Sequence, residues 1–206
     1  MGPIATVEDV VALPGRDIVL LRPADAEALL DEETFEKDEF MPYWADLWPS
    51  ALALARRLSR RALRGARVLE LGCGLGLPSI AAALAGGRVL ATDWSPEAVA
   101  FAAQNAEANG ADLEVLVAAW DEPEELVARG LWDLVLGADL LYEPRNAGSL
   151  LALLPRLVGP RGSVLLADPG RAPADRFLAE AAARWRVRTV EDAAPPRVSI
   201  HELRLR

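Results

Sequence analysis

Short apolar runs and helix-length apolar stripes alternate along the chain after Gly65. Val68–Leu71 reads as a strand and Leu77–Leu84 as a helix closed by Gly86-Gly87. Arg88–Thr92 reads as a second strand ending in Asp93, and Ser95-Pro96-Glu97 opens a helix that runs to about Asn109 before Gly110. Leu113–Val117, Trp132–Gly137 and Ser163–Ala167 read as three further strands, with helical patterns from Pro144 to about Leu157 and over Ala174–Ala183. Arg186–Val190 and Val198–Leu205 end the chain as two strands with Pro195-Pro196, and no helix, between them. Alternating strands and helices predict a parallel sheet covered on both faces. The last two strands can pair only as a long hairpin, which puts one antiparallel strand into the sheet. The expected fold is α/β: a single doubly wound, mostly parallel seven-stranded sheet with a C-terminal antiparallel hairpin strand.

The pattern is weaker before Gly65. Ile18–Leu21 reads as a short strand stopped by Pro23, and Ala24–Leu30 as a helix. Asp31–Glu39 is strongly acidic: a solvated face or loop, or else an electrostatic lip for a basic target. Met41–Ser50 packs Tyr43, Trp44, Trp48 and two prolines into a rigid apolar loop, in simplest terms a plug against the core. A helix from Pro49 places Leu52, Leu54, Ala55 and Leu58 on one face and Arg56, Arg57, Arg60 and Arg61 mostly on the other. These arginines read as a solvated face. The division is an N-terminal extension, 1–40, and one domain, 41–206.

Composition narrows the chemistry. With 206 residues, 52% of them hydrophobic, the chain can bury a sizeable core. No apolar stretch is long and charge-free enough to span a bilayer, and Met1–Asp9 lacks the basic flank and apolar core of a signal peptide, so a cytoplasmic protein without membrane association is expected. Cys73 is the only cysteine and His201 the only histidine. That excludes a disulfide framework and a cysteine-based zinc site, and it argues against histidine catalysis and multi-histidine metal sites. A net charge of −9 argues against a nucleic-acid partner and suits a basic or neutral substrate.

The stretch Arg67–Ile80 carries the clearest chemistry. A strand containing Glu70 runs into Gly72-Cys73-Gly74-Leu75-Gly76 and then into a helix with Pro78 in its first turn. Alternate glycines let a ligand approach the backbone without a Cβ in the way, and the helix start supplies free N–H groups. A dinucleotide fingerprint would need a third glycine at Leu77 or Ser79, and neither position has one. A phosphate loop would need a following Gly-Lys-Ser/Thr, which is also missing. Glu70 at the strand end repels a pyrophosphate and suits a cation. S-adenosylmethionine, with an ammonium, a sulfonium and no phosphate, fits that charge. Asp93, at the next strand end, is placed to accept hydrogen bonds from ribose hydroxyls.

Glu70-Leu-Gly72-Cys-Gly74-Leu-Gly76, with Asp93 and the terminal hairpin, resembles the seven-strand class I S-adenosylmethionine-dependent methyltransferases from about residue 40 to the C-terminus. Trp44-Ala45-Asp46-Leu47-Trp48-Pro49-Ser50 and Asp139-Leu140-Leu141-Tyr142 resemble signatures of the small protein-lysine methyltransferases. Ala167-Asp168-Pro169-Gly170-Arg171 looks like the branch acting on the electron-transfer flavoprotein β-subunit. The resemblance implies that Trp48, Glu70, Gly72, Gly74, Gly76, Asp93, Trp94, Trp120 and Asp139 hold the cofactor. It implies that Asp139 and Tyr142 face the target amine as catalytic residues, with Tyr43, Trp44 and Asp168 on the substrate side. The implied activity is N-methylation of a lysine side chain in a protein substrate, by a monomer and without a metal. A small-molecule N- or O-methyltransferase and a non-catalytic cofactor-binding protein stand as alternatives. No family pattern covers the first 40 residues.

Overall fold

The computed structural model describes residues 4–26, 29 and 42–206. The chain opens with an antiparallel hairpin, β1 (Thr6–Leu13) and β2 (Arg16–Pro23), whose tight turn places Gly15 at φ +86°. The remaining strands are β3 (Arg67–Leu71), β4 (Arg88–Asp93), β5 (Leu113–Val117), β6 (Trp132–Ala138), β7 (Val158–Asp168), β8 (Trp185–Glu191) and β9 (Ser199–Leu205). They form one seven-stranded sheet in the order β5-β4-β3-β6-β7-β9-β8. β9 is antiparallel to both its neighbours, and the other pairings are parallel. This is the expected doubly wound sheet.

Six helices cover the sheet within the described residues. α1 (Pro49–Leu58), α2 (Leu77–Leu84) and α3 (Pro96–Ala108) lie on one face; α4 (Glu124–Ala128), α5 (Pro144–Leu157) and α6 (Ala172–Ala181) lie on the other. The period-two alternation of β7 feeds both cores. Leu165 and Ala167 pack with Leu54, Leu58, Ile80 and Phe101, while Val164 and Leu166 pack with Leu150, Leu154 and Phe177. From β3 the chain winds outward through β4 and β5; from β6 it winds the other way. The carboxyl ends of β3, β4 and β6 therefore meet where the winding reverses, the place where such sheets bind ligands.

The structure departs from the sequence reading at several elements. β1 is a full strand where no element is expected, and α4 is a further short helix. Ala24–Ala26 is not helical, Leu29 sits in a 3-10 turn, and the rest of the expected Ala24–Leu30 helix lies outside the described residues, as does acidic Asp31–Glu39. β7 starts at Val158, well before Ser163, because its first residue already pairs with Trp132. Among the described residues, no helix is long and apolar enough to cross a membrane.

The hairpin has a buried face of Val11, Leu13, Ile18 and Leu20, and it docks on α3 through two asparagines. Alternate residues of β2 turn their backbone groups away from β1. Asn105 takes both groups of Leu21, accepting from its N–H at 2.7 Å and donating to its carbonyl at 3.0 Å. Asn109 does the same for Val19, at 2.9 and 2.6 Å. Asn105 also donates to the Leu75 carbonyl at 2.9 Å, so one fully buried amide joins the hairpin to the glycine turn. Asn105→Ala strands these backbone groups without partners. The expected result is a loss of about 2 kcal/mol, read as a fall of about 4–8 °C in melting temperature, with faster amide exchange at Leu21. Unchanged exchange at Leu21 would show that the amide does not hold the hairpin.

Candidate active site

A cavity of about 380 Å³ opens at the carboxyl ends of β3, β4 and β6. That volume is in the range of small-ligand sites. Asp46, Glu70, Asp93, Asp139 and Glu143 line it, with Arg171 as the one basic residue among the described lining. Five carboxyl groups against one guanidinium favour a cationic ligand and disfavour a pyrophosphate.

The floor is the glycine turn. Gly72, Gly74 and Gly76 all have positive φ, but they serve different purposes. A Cβ on Gly72 would lie 2.8 Å from the Leu140 side chain and 3.7 Å from Trp120, both cavity residues. A Cβ on Gly74 would lie 3.2 Å from the Trp44 carbonyl. Gly76 does not line the cavity. It ends the turn before α2, and a Cβ there would meet Ala102 of α3 at 2.9 Å. Its glycine lets helices pack, whereas the sequence groups it with the ligand-facing ones. Cys73 is buried in the turn and donates its N–H to the Thr92 carbonyl at 2.8 Å; burial pushes its thiol well above the ordinary pKa, which suits a packing role.

Two acids stand at the strand ends. Glu70 is fully buried, and the Ser79 hydroxyl of α2 donates to its Oε2, while Oε1 has no hydrogen-bond partner among the described residues. Burial raises its pKa to about 8, the Ser79 bond opposing and the Asp93 charge adding to the rise. Burial therefore favours the protonated form of this carboxyl near neutral pH, whereas the sequence reading treats it as a ready anion. Asp93 is 5% exposed. Its Oδ2 accepts from Gly74 N–H at 2.9 Å and its Oδ1 from Ser95 N–H at 3.1 Å. These bonds, with a further backbone bond from Trp94, fix the carboxylate toward the cavity. Ser95 itself caps α3, accepting from Ala98 N–H at 3.2 Å.

Aromatic rings form the walls. Tyr43 meets Trp48 edge-on at 6.1 Å and Tyr142 at 5.4 Å, and the Trp48 indole N–H donates to the Tyr43 carbonyl at 2.7 Å. Trp44 lines the cavity and also stacks at a tilt on Phe101 of the core, 5.4 Å away. Trp94 stands half exposed at the rim, and Trp120 lies against the glycine turn. Burial raises the Tyr142 hydroxyl above its ordinary pKa.

Asp139 follows β6 and is the one non-glycine among the described residues with positive φ, at +58°. Left-handed backbone is uncommon outside glycine, although aspartate tolerates it better than most. The conformation is enforced on both sides: Asp139 N–H donates to the Ala167 carbonyl at 2.8 Å, and Asn146 donates to the Leu140 carbonyl at 2.9 Å. Its carboxylate is not free. Arg171 Nε donates to Oδ1 and Nη2 to Oδ2, the latter at 3.2 Å.

Asp168 is expected on the substrate side, yet it does not line the cavity. It is 1% exposed, and its Oδ1 accepts the N–H groups of Gly170 and Arg171 at 2.7 and 2.8 Å. It clasps the loop that starts α6 and so fixes the root of Arg171. The sequence reading gives Arg171 no role. The available signal was an arginine directly after a strand end beside the one that presents Asp139.

The family of description "lysine methyltransferase" matches residues 33–183. The electron transfer flavoprotein beta subunit lysine methyltransferase of Xenopus laevis is 39% identical over 137 residues, covering 64% of this chain and 54% of that protein. Protein N-lysine methyltransferase METTL21A of Danio rerio is 37% identical over 154 residues, covering 71% of this chain and 70% of that protein. The chain thus spans about half the length of the flavoprotein-directed relatives. Among solved structures, the T. Thermophilus 16S rRNA N2 G1207 methyltransferase in complex with AdoMet and guanosine has a TM-score of 0.70 at 16% identity, covering 99% of this chain and 52% of that one. That likeness gives the fold. The family match runs from before the aromatic loop to beyond α6 and includes every cavity residue named above, and by it this chain belongs to the lysine methyltransferase family.

Proposed function

We propose that this chain transfers a methyl group from S-adenosylmethionine to the side-chain amine of a lysine in a protein. The observation that carries the reading is the juxtaposition, in one acidic cavity, of a glycine-turn floor with Asp139 framed by Tyr43, Trp48 and Tyr142. The names of the Xenopus laevis and Danio rerio relatives support a protein lysine as target.

The residues present fit the cofactor. The unpartnered oxygen of Glu70 and the excess of carboxyl groups suit its positive charges, and Asp93 presents a fixed acceptor for hydroxyls. Gly72 and Gly74 give close access to the backbone, with Trp48, Trp94 and Trp120 as apolar walls for its flat ring. When bound, S-adenosylmethionine supplies an electrophilic methyl carbon and a neutral sulfide leaving group.

The chain's own work concerns the amine. A lysine amine with a pKa of about 10.4 is almost wholly protonated at neutral pH and has no lone pair to donate. Aromatic walls disfavour the charged form by desolvation, and their faces still tolerate a cation at about 0.5–2 kcal/mol each. Asp139 accepts an N–H of the amine and points its lone pair into the cavity. Its enforced backbone makes it a rigid reference point, which matters because in-line transfer needs the reacting atoms about 3 Å apart. The proton leaves to solvent at the open rim beside half-exposed Tyr43.

Asp139→Asn removes the anionic acceptor and is expected to cut methyl transfer about a hundredfold. Labelled S-adenosylmethionine added to a cell lysate checks this, with the electron transfer flavoprotein β-subunit as the first purified protein to try. A labelled protein band that fades in the variant supports the proposal, while label confined to small molecules points to a metabolite methyltransferase instead. Glu70 gives a second prediction. Its folded pKa of about 8 lies above the ordinary 4.5, so its contribution to stability is full below 4.5 and is lost as pH rises toward 8. Glu70→Gln should gain in melting temperature relative to the parent across that window, and it should abolish the proton release that accompanies cofactor binding near pH 7. Parallel melting curves for the two proteins would refute the assignment.

A further inference from the structure

We propose that Arg171 is an internal cation that covers Asp139 and gives way to the target ammonium, so that it sets the affinity for the incoming amine. This inference rests on the reading of Asp139 as the amine acceptor.

Four observations carry it. First, the guanidinium occupies the position that a target amine needs. It donates to both oxygens of Asp139 and lies 5.8 Å from the centre of the Trp48 ring, in the cavity that Tyr43 and Tyr142 also line. A carboxylate and an aromatic face together are what a lysine ammonium would use. Second, the Asp139 side chain is only 6% exposed, while that of Arg171 is 34% exposed. Access to the carboxylate runs past the arginine. Third, the two partners differ in freedom. The Asp139 backbone is held through its own N–H and through the Leu140 carbonyl. Arg171 is held at its backbone, its N–H by Asp168 and its carbonyl by the Ala174 N–H, and beyond the Asp139 pair its long side chain has solvent beside it. The arginine is the partner that moves. Fourth, at the binding step an incoming ammonium replaces one counter-charge of Asp139 by another, so the carboxylate is not left buried and unpaired, which would be costly. A guanidinium stays protonated under all working conditions, so the covered state persists until a second cation arrives.

Occupancy by Arg171 weakens the apparent affinity for an amine by the fraction of time the carboxylate is covered. For a charged, hydrogen-bonded and part-exposed pair that factor is about tenfold. The probe is n-butylammonium chloride, a lysine side chain without its backbone. It is titrated calorimetrically into the full chain saturated with S-adenosylhomocysteine, at ionic strength fixed with sodium chloride. Arg171→Ala should bind the probe about tenfold more tightly than the parent. Arg171→Gln, with similar length and no charge, should match it, and Arg171→Lys, with a competing cation restored, should return toward the parent. Asp139→Asn should abolish binding in each background. Equal or weaker binding in Arg171→Ala and Arg171→Gln, still dependent on Asp139, overturns the covering role and leaves the methyltransferase reading standing. Binding that ignores Asp139 in every background, or no binding in any, overturns the amine site and the covering role together. Unchanged S-adenosylhomocysteine affinity in the Arg171 variants confirms that they are folded.

Discussion

The floor of the cavity is placed by the way the chain leaves β3. The turn from Gly72 to Gly76 passes through three left-handed residues, a conformation that does not hold itself together. It is pinned from its neighbours: Cys73 N–H on the Thr92 carbonyl, Gly74 N–H on Asp93, and the Leu75 carbonyl under Asn105. The bonds come from β4 and α3, so the floor is rigid only once the sheet and its first helices have assembled. The same bonds aim Asp93, while Glu70 beside it is buried with Ser79 as its donor residue among the described ones. One local necessity, turning tightly without side chains, thus sets the floor of the cavity and the aim of Asp93 beside it.

The sheet was legible because its central strands are apolar on both faces and separated by helix-period stretches; nothing else gives that rhythm. β1 was not legible. Only Val11 and Leu13 of its residues are buried, and Val10 is largely exposed, so its alternation is faint. It is a strand because β2 pairs with it, and the outer edge of β2 is satisfied by Asn105 and Asn109 from a helix far along the chain. No local pattern encodes that. α4 was missed because five residues are too few to show a period.

In the candidate site, the legible residues were those whose signal is local. Glu70 and Asp93 lie at strand ends and Gly72 and Gly74 just beyond one, and all line the cavity. Gly76 looks the same in sequence, and only the approach of α3 distinguishes its role. Asp168 and Arg171 depend on β7 lying beside β6, a pairing between strands that a helix separates in sequence. From sequence, Asp168 is an acid at the right edge. In three dimensions its Oδ1 accepts two backbone N–H groups while its Oδ2 is buried without a partner among the described residues, and the arginine it anchors reaches the cavity instead.

The surplus of acid in the cavity bears on the direction of turnover. Under the proposed reaction, the positive charge that draws the donor into a field of five carboxyl groups disappears from its sulfur at the moment of transfer and reappears on the methylated amine. The spent donor is then a neutral sulfide in a pocket built for a cation, and its electrostatic hold weakens without any movement of the walls. The charge has been handed to the mouth of the cavity, where solvent competes for it. An acidic site of this kind releases its exhausted donor through the chemistry itself, and product inhibition is eased by the same charges that recruit the substrate.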